Sequence, residues 1–307
     1  MNGQLREMLR YVCRGELQNA QALAKRILES STAKTDQHFC HEMLGTLEAR
    51  KTLLPLPYNL KDLLIAEDVS GFPEKRYLLR PLENDIFTQT VRIWNAAEKL
   101  AQRGVAYTST LLLYGESGTG KTMLAKYIAY KLGLSFVYVN LSSSISSLMG
   151  STGSNIAKIV EYARTTSCVL CFDEIDALGM ARGQKNDVGE MNRVVLALMQ
   201  QLDLVGNDVL VIGTTNRYDR LDAALVRRFS LHKEVTALNW EETREAATKF
   251  FAETAPEFTE ERREQLITNS VFAAEAQKAR EEGEGSVHIP AAKAIGRCVQ
   301  ALVELVS

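Results

Sequence analysis

The sequence predicts an α/β protein: a parallel sheet sandwiched by helices, with a small helical subdomain towards the C-terminus and an N-terminal helical segment. Three observations carry that prediction. Short β-rich, almost wholly apolar runs recur at 110–114, 136–139, 168–172 and 209–212. Stretches of helical periodicity separate them. Beyond Asn239 only the helical pattern continues, to Ser307. A strand that is apolar at every position, not at alternate ones, is buried on both faces, as a parallel strand between two helical layers must be.

The elements follow in order. In 1–52, Leu5, Leu9, Val12 and Cys13, then Leu17, Ala20, Leu23, Ala24 and Ile27, recur at helical spacing on either side of Gly15. This spacing predicts two helices, with a third around Glu42 to Arg50. So short a segment makes a marginal core by itself, so it is expected to lean on the next domain or on a partner. Four of the six prolines, Pro55, Pro57, Pro73 and Pro81, fall in 53–84, which reads as a linker. A helix from Asp85 to Gln102 opens the αβ domain, 85–238, and 239–307 forms the helical subdomain. Within it, Pro290 suits the first turn of a last helix running through Ala301 and Val303.

The bulk composition narrows the function classes. With 307 residues, 46% hydrophobic and 24% charged, the chain is of ordinary globular type. Lys+Arg 36 against Asp+Glu 38 gives a net charge of -2, without the basic excess of a duplex-binding domain. No run approaches the roughly 18 apolar residues of a membrane span, so no membrane partner is expected. The first residues are charged and lack an apolar h-region, which argues against a secretory signal. The five cysteines (Cys13, Cys40, Cys168, Cys171 and Cys298) are too scattered for a disulfide scaffold, and a cytoplasmic setting is expected. Cys168 and Cys171 have metal-ligand spacing, but on a strand they point to opposite faces. His38, Cys40 and His41 lack a second half for a metal site.

The chemistry lies at the strand ends. After the first strand come Gly115, Glu116, Ser117, Gly118, Thr119, Gly120, Lys121 and Thr122, and then Met123 in a helical stretch. This G-x-x-x-x-G-K-[ST] pattern, with a strand before and a helix after, is a P-loop. Its backbone N–H groups turn inward around phosphate oxygens, and the helix N-terminus adds positive potential. Lys121 reaches the β- and γ-phosphates, and the Thr122 hydroxyl suits Mg²⁺. The third strand delivers Asp173, Glu174 and Asp176 at its C-terminal end, where open α/β sheets bind ligands. Asp173 suits Mg²⁺ through its water shell, and Glu174 suits polarising an attacking water. The fourth strand leads to Asn216, whose amide can bridge the γ-phosphate and that water. Arg227 and Arg228 then precede Phe229.

GESGTGKT, CVLCFDEIDAL, VLVIGTTN and LDAALVRRF, in that order, resemble the motifs of the AAA+ ATPases, close to the classical AAA group. The likeness covers about Thr110 to Val235 and extends weakly into the helical tail. It implies ATP as the nucleotide with Mg²⁺, Asn216 as sensor 1, and Arg228, with Arg227 beside it, as an arginine finger reaching a neighbouring subunit. The classical group separates its two arginines in a longer loop, whereas here they are adjacent. Ser147 to Ile156, with Leu148 and Met149 at the gripping position, resembles a first pore loop; Asp187 to Arg193 resembles a second. Asn140 is similar to a residue that couples substrate to the catalytic glutamate. The tail resembles the family's lid, with no sensor 2 assigned to Lys293 or Arg297. The likeness thus implies a ring, of six subunits, that remodels a protein substrate. An alternative is a nucleotide-controlled assembly switch whose N-terminal helices recruit an effector.

Overall fold

The computed structural model describes residues 6, 23, 27, 56–105, 107–141, 152–177 and 188–306. The expected N-terminal helices, apart from helical Arg6, Leu23 and Ile27, lie outside the described residues. So do Cys13, His38, Cys40, His41, Leu148, Met149 and Asp187.

The sheet has six strands: β1 (Ile65–Glu67), β2 (Ser109–Tyr114), β3 (Ser135–Asn140), β4 (Cys168–Asp173), β5 (Leu210–Thr215) and β6 (Leu231–Glu234), in the spatial order β1-β3-β4-β5-β2-β6. From β3 to β6 all neighbours are parallel, and β1 adds an antiparallel edge to β3. The four apolar runs are β2 to β5. The sequence pattern did not predict the two edge strands. β6 alternates half-buried and exposed residues, and β1 has three residues, so neither makes a continuous apolar run.

Helices cover both faces. α1 (Pro81–Ala101) and α2 (Lys121–Leu132) lie on one, α3 (Thr152–Thr166) and α4 (Val188–Leu202) on the other. Alternate strand residues sort accordingly. Leu112, Val137, Leu170 and Val211 pack with Ile159 and Val160 of α3 and Leu198 of α4. Leu111, Phe136, Val169 and Ile212 pack with Ile86 of α1 and Leu124 and Ile128 of α2. Cys168 and Cys171, both fully buried, fall in opposite cores as the strand period requires.

The prolines mislead at one point. Pro81 begins α1, four residues before the expected Asp85, because a missing N–H costs nothing in a helix's first turn. The stretch 56–84, read as a linker, is packed on the sheet: Leu60, Leu63 and Leu64 join one core and Val69 the other.

After the short α5 (Ala223–Val226) and β6, the helical subdomain comprises α6 (Trp240–Thr254), α7 (Glu260–Leu266), a π turn (Ile267–Val271), α8 (Ala273–Glu282) and α9 (Ala291–Val306). Its own core gathers Trp240, Phe250, Phe251, Ile267 and Phe272. Asn239 starts α6 with a reciprocal cap: its side chain accepts the Glu242 N–H, and its N–H donates to the Glu242 carboxylate. Three features tie this lid to the sheet domain. Leu238 and Ile289 exchange backbone hydrogen bonds of 2.8 and 2.9 Å. The Ala292 N–H donates to the Gly118 carbonyl of the P-loop at 2.9 Å. Arg80, buried, donates to Glu83 (2.7 Å), to the Thr236 carbonyl (3.0 Å) and to Glu242 (3.3 Å).

Candidate functional site

The parallel register sets the C-terminal ends of the central strands level. Asn140 pairs with Asp173, Phe172 with Gly213, and Leu113 with Thr214. A cavity of about 510 Å³ opens there, between the sheet ends, the 73–78 stretch and the lid. At one end Ser117, Gly118, Thr119, Gly120, Lys121, Thr122 and Met123 line it with Asp173, Glu174 and Asn216. At the other stand Pro73, Tyr77, Leu78, Leu238, Phe250 and Ile295. Of the P-loop residues named from sequence, Ser117 to Met123 line the cavity, whereas Gly115 and Glu116 do not and instead hold Lys121 through their carbonyls.

Gly115 is glycine for a steric reason. Its φ is +142°, and a Cβ there would collide with the Val235 carbonyl at the end of β6. Lys121 is buried, and its Nζ donates to the carbonyls of Gly115 (2.8 Å) and Glu116 (2.7 Å) and to Oδ1 of Asn216 (2.6 Å). Burial lowers its pKa, opposed by the charges of Asp173, Asp176 and Glu174. The contact with Asn216 joins the P-loop to the end of β5 and leaves the amide's Nδ2 to donate to an oxygen in the cavity.

Asp173 is gripped from three sides. Thr122 Oγ1 donates to its Oδ1 at 3.4 Å, and Thr214 of β5 donates to the same oxygen. Tyr138 of β3 donates to its Oδ2 at 2.7 Å. Burial, and then the bond to Asp173, push the Tyr138 phenol well above its ordinary pKa, so it stays a donor. Glu174 follows in left-handed backbone, φ 54°, with its N–H on Thr214 Oγ1 at 3.2 Å. A non-glycine residue held there costs roughly 1–3 kcal/mol, and such strain gathers at functional sites. Asp176 is buried and accepts from Thr215 Oγ1 (2.7 Å) and from the Asn216 N–H (3.3 Å), which fixes the turn that carries Asn216. Tyr138, Thr214 and Asp176 received no role from sequence. Tyr138 read there as a strand residue and Thr214 as lying just past the fourth run, and only the D-E-x-D spacing hinted at Asp176.

Hard oxygen donors on Thr122 and Asp173, close together and beside a lysine that meets phosphate, fit Mg²⁺ held mainly through water. No cluster of three or more metal-ligating side chains occurs among the described residues.

Arg227 and Arg228 lie outside the residues lining the cavity. Arg228 is on the surface, with its Nε 2.9 Å from Asp203 at the end of α4. Phe229 anchors the pair: its ring packs on Gly213 of β5, where a Cβ would come within 2.8 Å of it. Lys293 is exposed, and Arg297 is bound to Glu275 at 2.6 Å, so neither lines the cavity. Asn140 Nδ2 donates to the Tyr138 hydroxyl at 3.3 Å.

A dense phosphate-type loop and a row of carboxylates at the ends of a parallel sheet define a P-loop nucleotide-binding protein. Residues 111–237 match the family model described as "ATPase family associated with various cellular activities (AAA)". The chain is 31% identical over 227 residues to an uncharacterized AAA family ATPase, y4kL, of Sinorhizobium fredii, covering 70% of this chain and 68% of that protein. It is 37% identical over 167 residues to the peroxisomal ATPase pex6 of Schizosaccharomyces pombe, 52% of this chain and 17% of that one. With the peroxisomal ATPase PEX6 of Dictyostelium discoideum the identity is 43% over 128 residues, 40% of this chain and 11% of the relative. The chain therefore spans only a small part of the peroxisomal relatives. It belongs to the AAA family, and it is an ATP-binding protein and an ATPase.

Proposed function

We propose that this ATPase works as a ring, of six subunits, in the cytoplasm, and couples Mg²⁺-dependent hydrolysis to the remodelling of a protein substrate or complex. One observation carries the reading. Arg228 stands on the surface away from its own cavity, oriented by Asp203 and anchored through Phe229, as a finger offered to a neighbouring cavity would stand. In its own subunit Lys121 holds the β- and γ-phosphates, and Thr122 and Asp173 would hold Mg²⁺, which would supply neutralisation of phosphate charge. Glu174 takes the proton of the attacking water, and Asn216 Nδ2 orients that water against the γ-phosphate. Arg228, with Arg227 beside it, stabilises the charge that develops across the subunit boundary. At the other end, Tyr77, Leu78, Leu238, Phe250 and Ile295 enclose the adenine.

The test is complementation. Arg228→Ala keeps ATP binding and loses about 10³-fold or more in turnover, the range of fingers supplied in trans. Lys121→Ala loses tight binding. Mixing the two restores part of the activity, because an intact cavity then meets an intact finger. No rescue, with binding and turnover lost together in Arg228→Ala, would make Arg228 a structural residue of its own subunit. A ring that hydrolyses ATP but gains no turnover from any unfolded polypeptide would favour the assembly switch.

A further inference from the structure

The sheet order β3-β4-β5 puts Asp173 between two neighbours, each of which brings a hydroxyl to it. Thr214 comes from β5 and Tyr138 from β3, and they reach different oxygens. Thr122, on the P-loop side, meets Oδ1, the oxygen that Thr214 also reaches. Oδ2 is thereby turned to the phenol and Oδ1 to the corner where the metal and its waters belong. A carboxylate held at one oxygen only can rotate about its last bond and present either oxygen, or both, to that corner. Asp173 is fixed at each.

The phenol is itself oriented. Asn140 donates into its lone pair at 3.3 Å, so its single proton is directed to Oδ2. Tyr138 pairs with Cys171 in the ladder while Asn140 pairs with Asp173, so the ring must reach along the strand to the carboxylate. A phenol is long enough for that, where a Ser or Thr at the same position is not.

We propose that Tyr138 is a positioning residue for the magnesium corner: its hydroxyl pins Oδ2 of Asp173 so that Oδ1 stays beside Thr122. The proposal rests on the reading of Asp173 as the carboxylate that holds Mg²⁺. It assigns Tyr138 no contact with ATP, so the residue acts on metal affinity and leaves metal-free nucleotide affinity alone.

The experiment measures binding of a fluorescent ADP analogue to the full chain over a Mg²⁺ titration and in EDTA, for wild type, Tyr138→Phe and Asp173→Asn. Bound Mn²⁺ is followed in parallel by electron paramagnetic resonance. Tyr138→Phe is expected to raise the Mg²⁺ concentration at half-saturation about tenfold, the lower end for loss of an outer-sphere partner, with affinity in EDTA unchanged. Asp173→Asn raises it further. If Asp173→Asn shifts the requirement and Tyr138→Phe does not, the proposal is overturned and the metal reading stands. If Asp173→Asn shifts nothing, the metal reading falls and takes the proposal with it. Equal weakening with Mg²⁺ and in EDTA makes Tyr138 a structural residue and overturns the proposal. Should Tyr138→Phe fail to fold, Tyr138→Leu is measured against the same expectations.

Discussion

The two ends of the cavity are built differently. The phosphate end comes from contiguous stretches at the ends of adjacent strands, and its groups are fixed by short polar bonds: Lys121 to Asn216, Asp173 to Tyr138, Asp176 to Thr215. The other end, where we place the base, is assembled from residues far apart in the chain, Tyr77 and Leu78, Leu238, Phe250 and Ile295, and is mainly apolar. The first arrangement supplies directional, preorganised charge, which is what phosphoryl transfer demands. The second supplies burial, which is non-directional and tolerant of movement. The lid side chains lining this end are apolar, and the lid meets the P-loop through one backbone bond from Ala292 to Gly118, so trimming an apolar side chain should separate affinity from turnover.

That division can be broken at the joint behind the base end. Arg80 ties the start of α1 to the 236–237 link and to Glu242, whose carboxylate also caps α6. Arg80→Met keeps the length but leaves the buried Glu83 carboxylate without its ion-pair partner and removes the bond to Glu242. Removing one partner of a buried ion pair costs about 3–5 kcal/mol. For a chain of this size the thermal midpoint should drop by roughly 10 °C, measured by scanning fluorimetry. A midpoint within a degree of wild type would mean that Arg80 does not hold the lid.

A smaller effect sharpens the same comparison from within. Ile295→Ala trims one apolar wall at the base end and touches no group at the phosphate end. ATP and ADP should bind about tenfold more weakly, with turnover at saturation unchanged. Equilibrium binding and steady-state ATPase, measured on one preparation, check the split. A fall in turnover at saturating ATP would show that lid packing reaches the chemistry.

The same division governs what could be read in advance. Glu116 to Thr122 and Asp173 to Asp176 were legible because a phosphate loop and a metal-holding carboxylate are local patterns placed by their flanking strands. The central sheet was legible because β4 and β5 are apolar on both faces. The base end was not, since no spacing links Leu78 to Ile295; only the packing of the lid on the P-loop brings them together. β6 escaped because an edge strand with one exposed face, Leu231-His232-Lys233-Glu234, makes no apolar run. Tyr138 escaped for another reason. In sequence it is one more aromatic in a buried strand, and its function depends on which way a single hydroxyl points. Leu148 and Met149, expected from the sequence in a pore loop, and all of 1–52 except Arg6, Leu23 and Ile27 lie outside the described residues.

The most direct test of the account replaces one oxygen. Glu174→Gln preserves the volume at the end of β4 and removes the base, while Lys121, Thr122 and Asp173 remain in place. The measurement follows bound nucleotide and released phosphate together after mixing the variant with ATP and Mg²⁺. The account predicts that ATP binds as in wild type and persists unhydrolysed, with turnover lower by about 10²–10⁴, the contribution of a positioned base. Near wild-type turnover, or a loss of ATP binding equal to the loss of turnover, would contradict it.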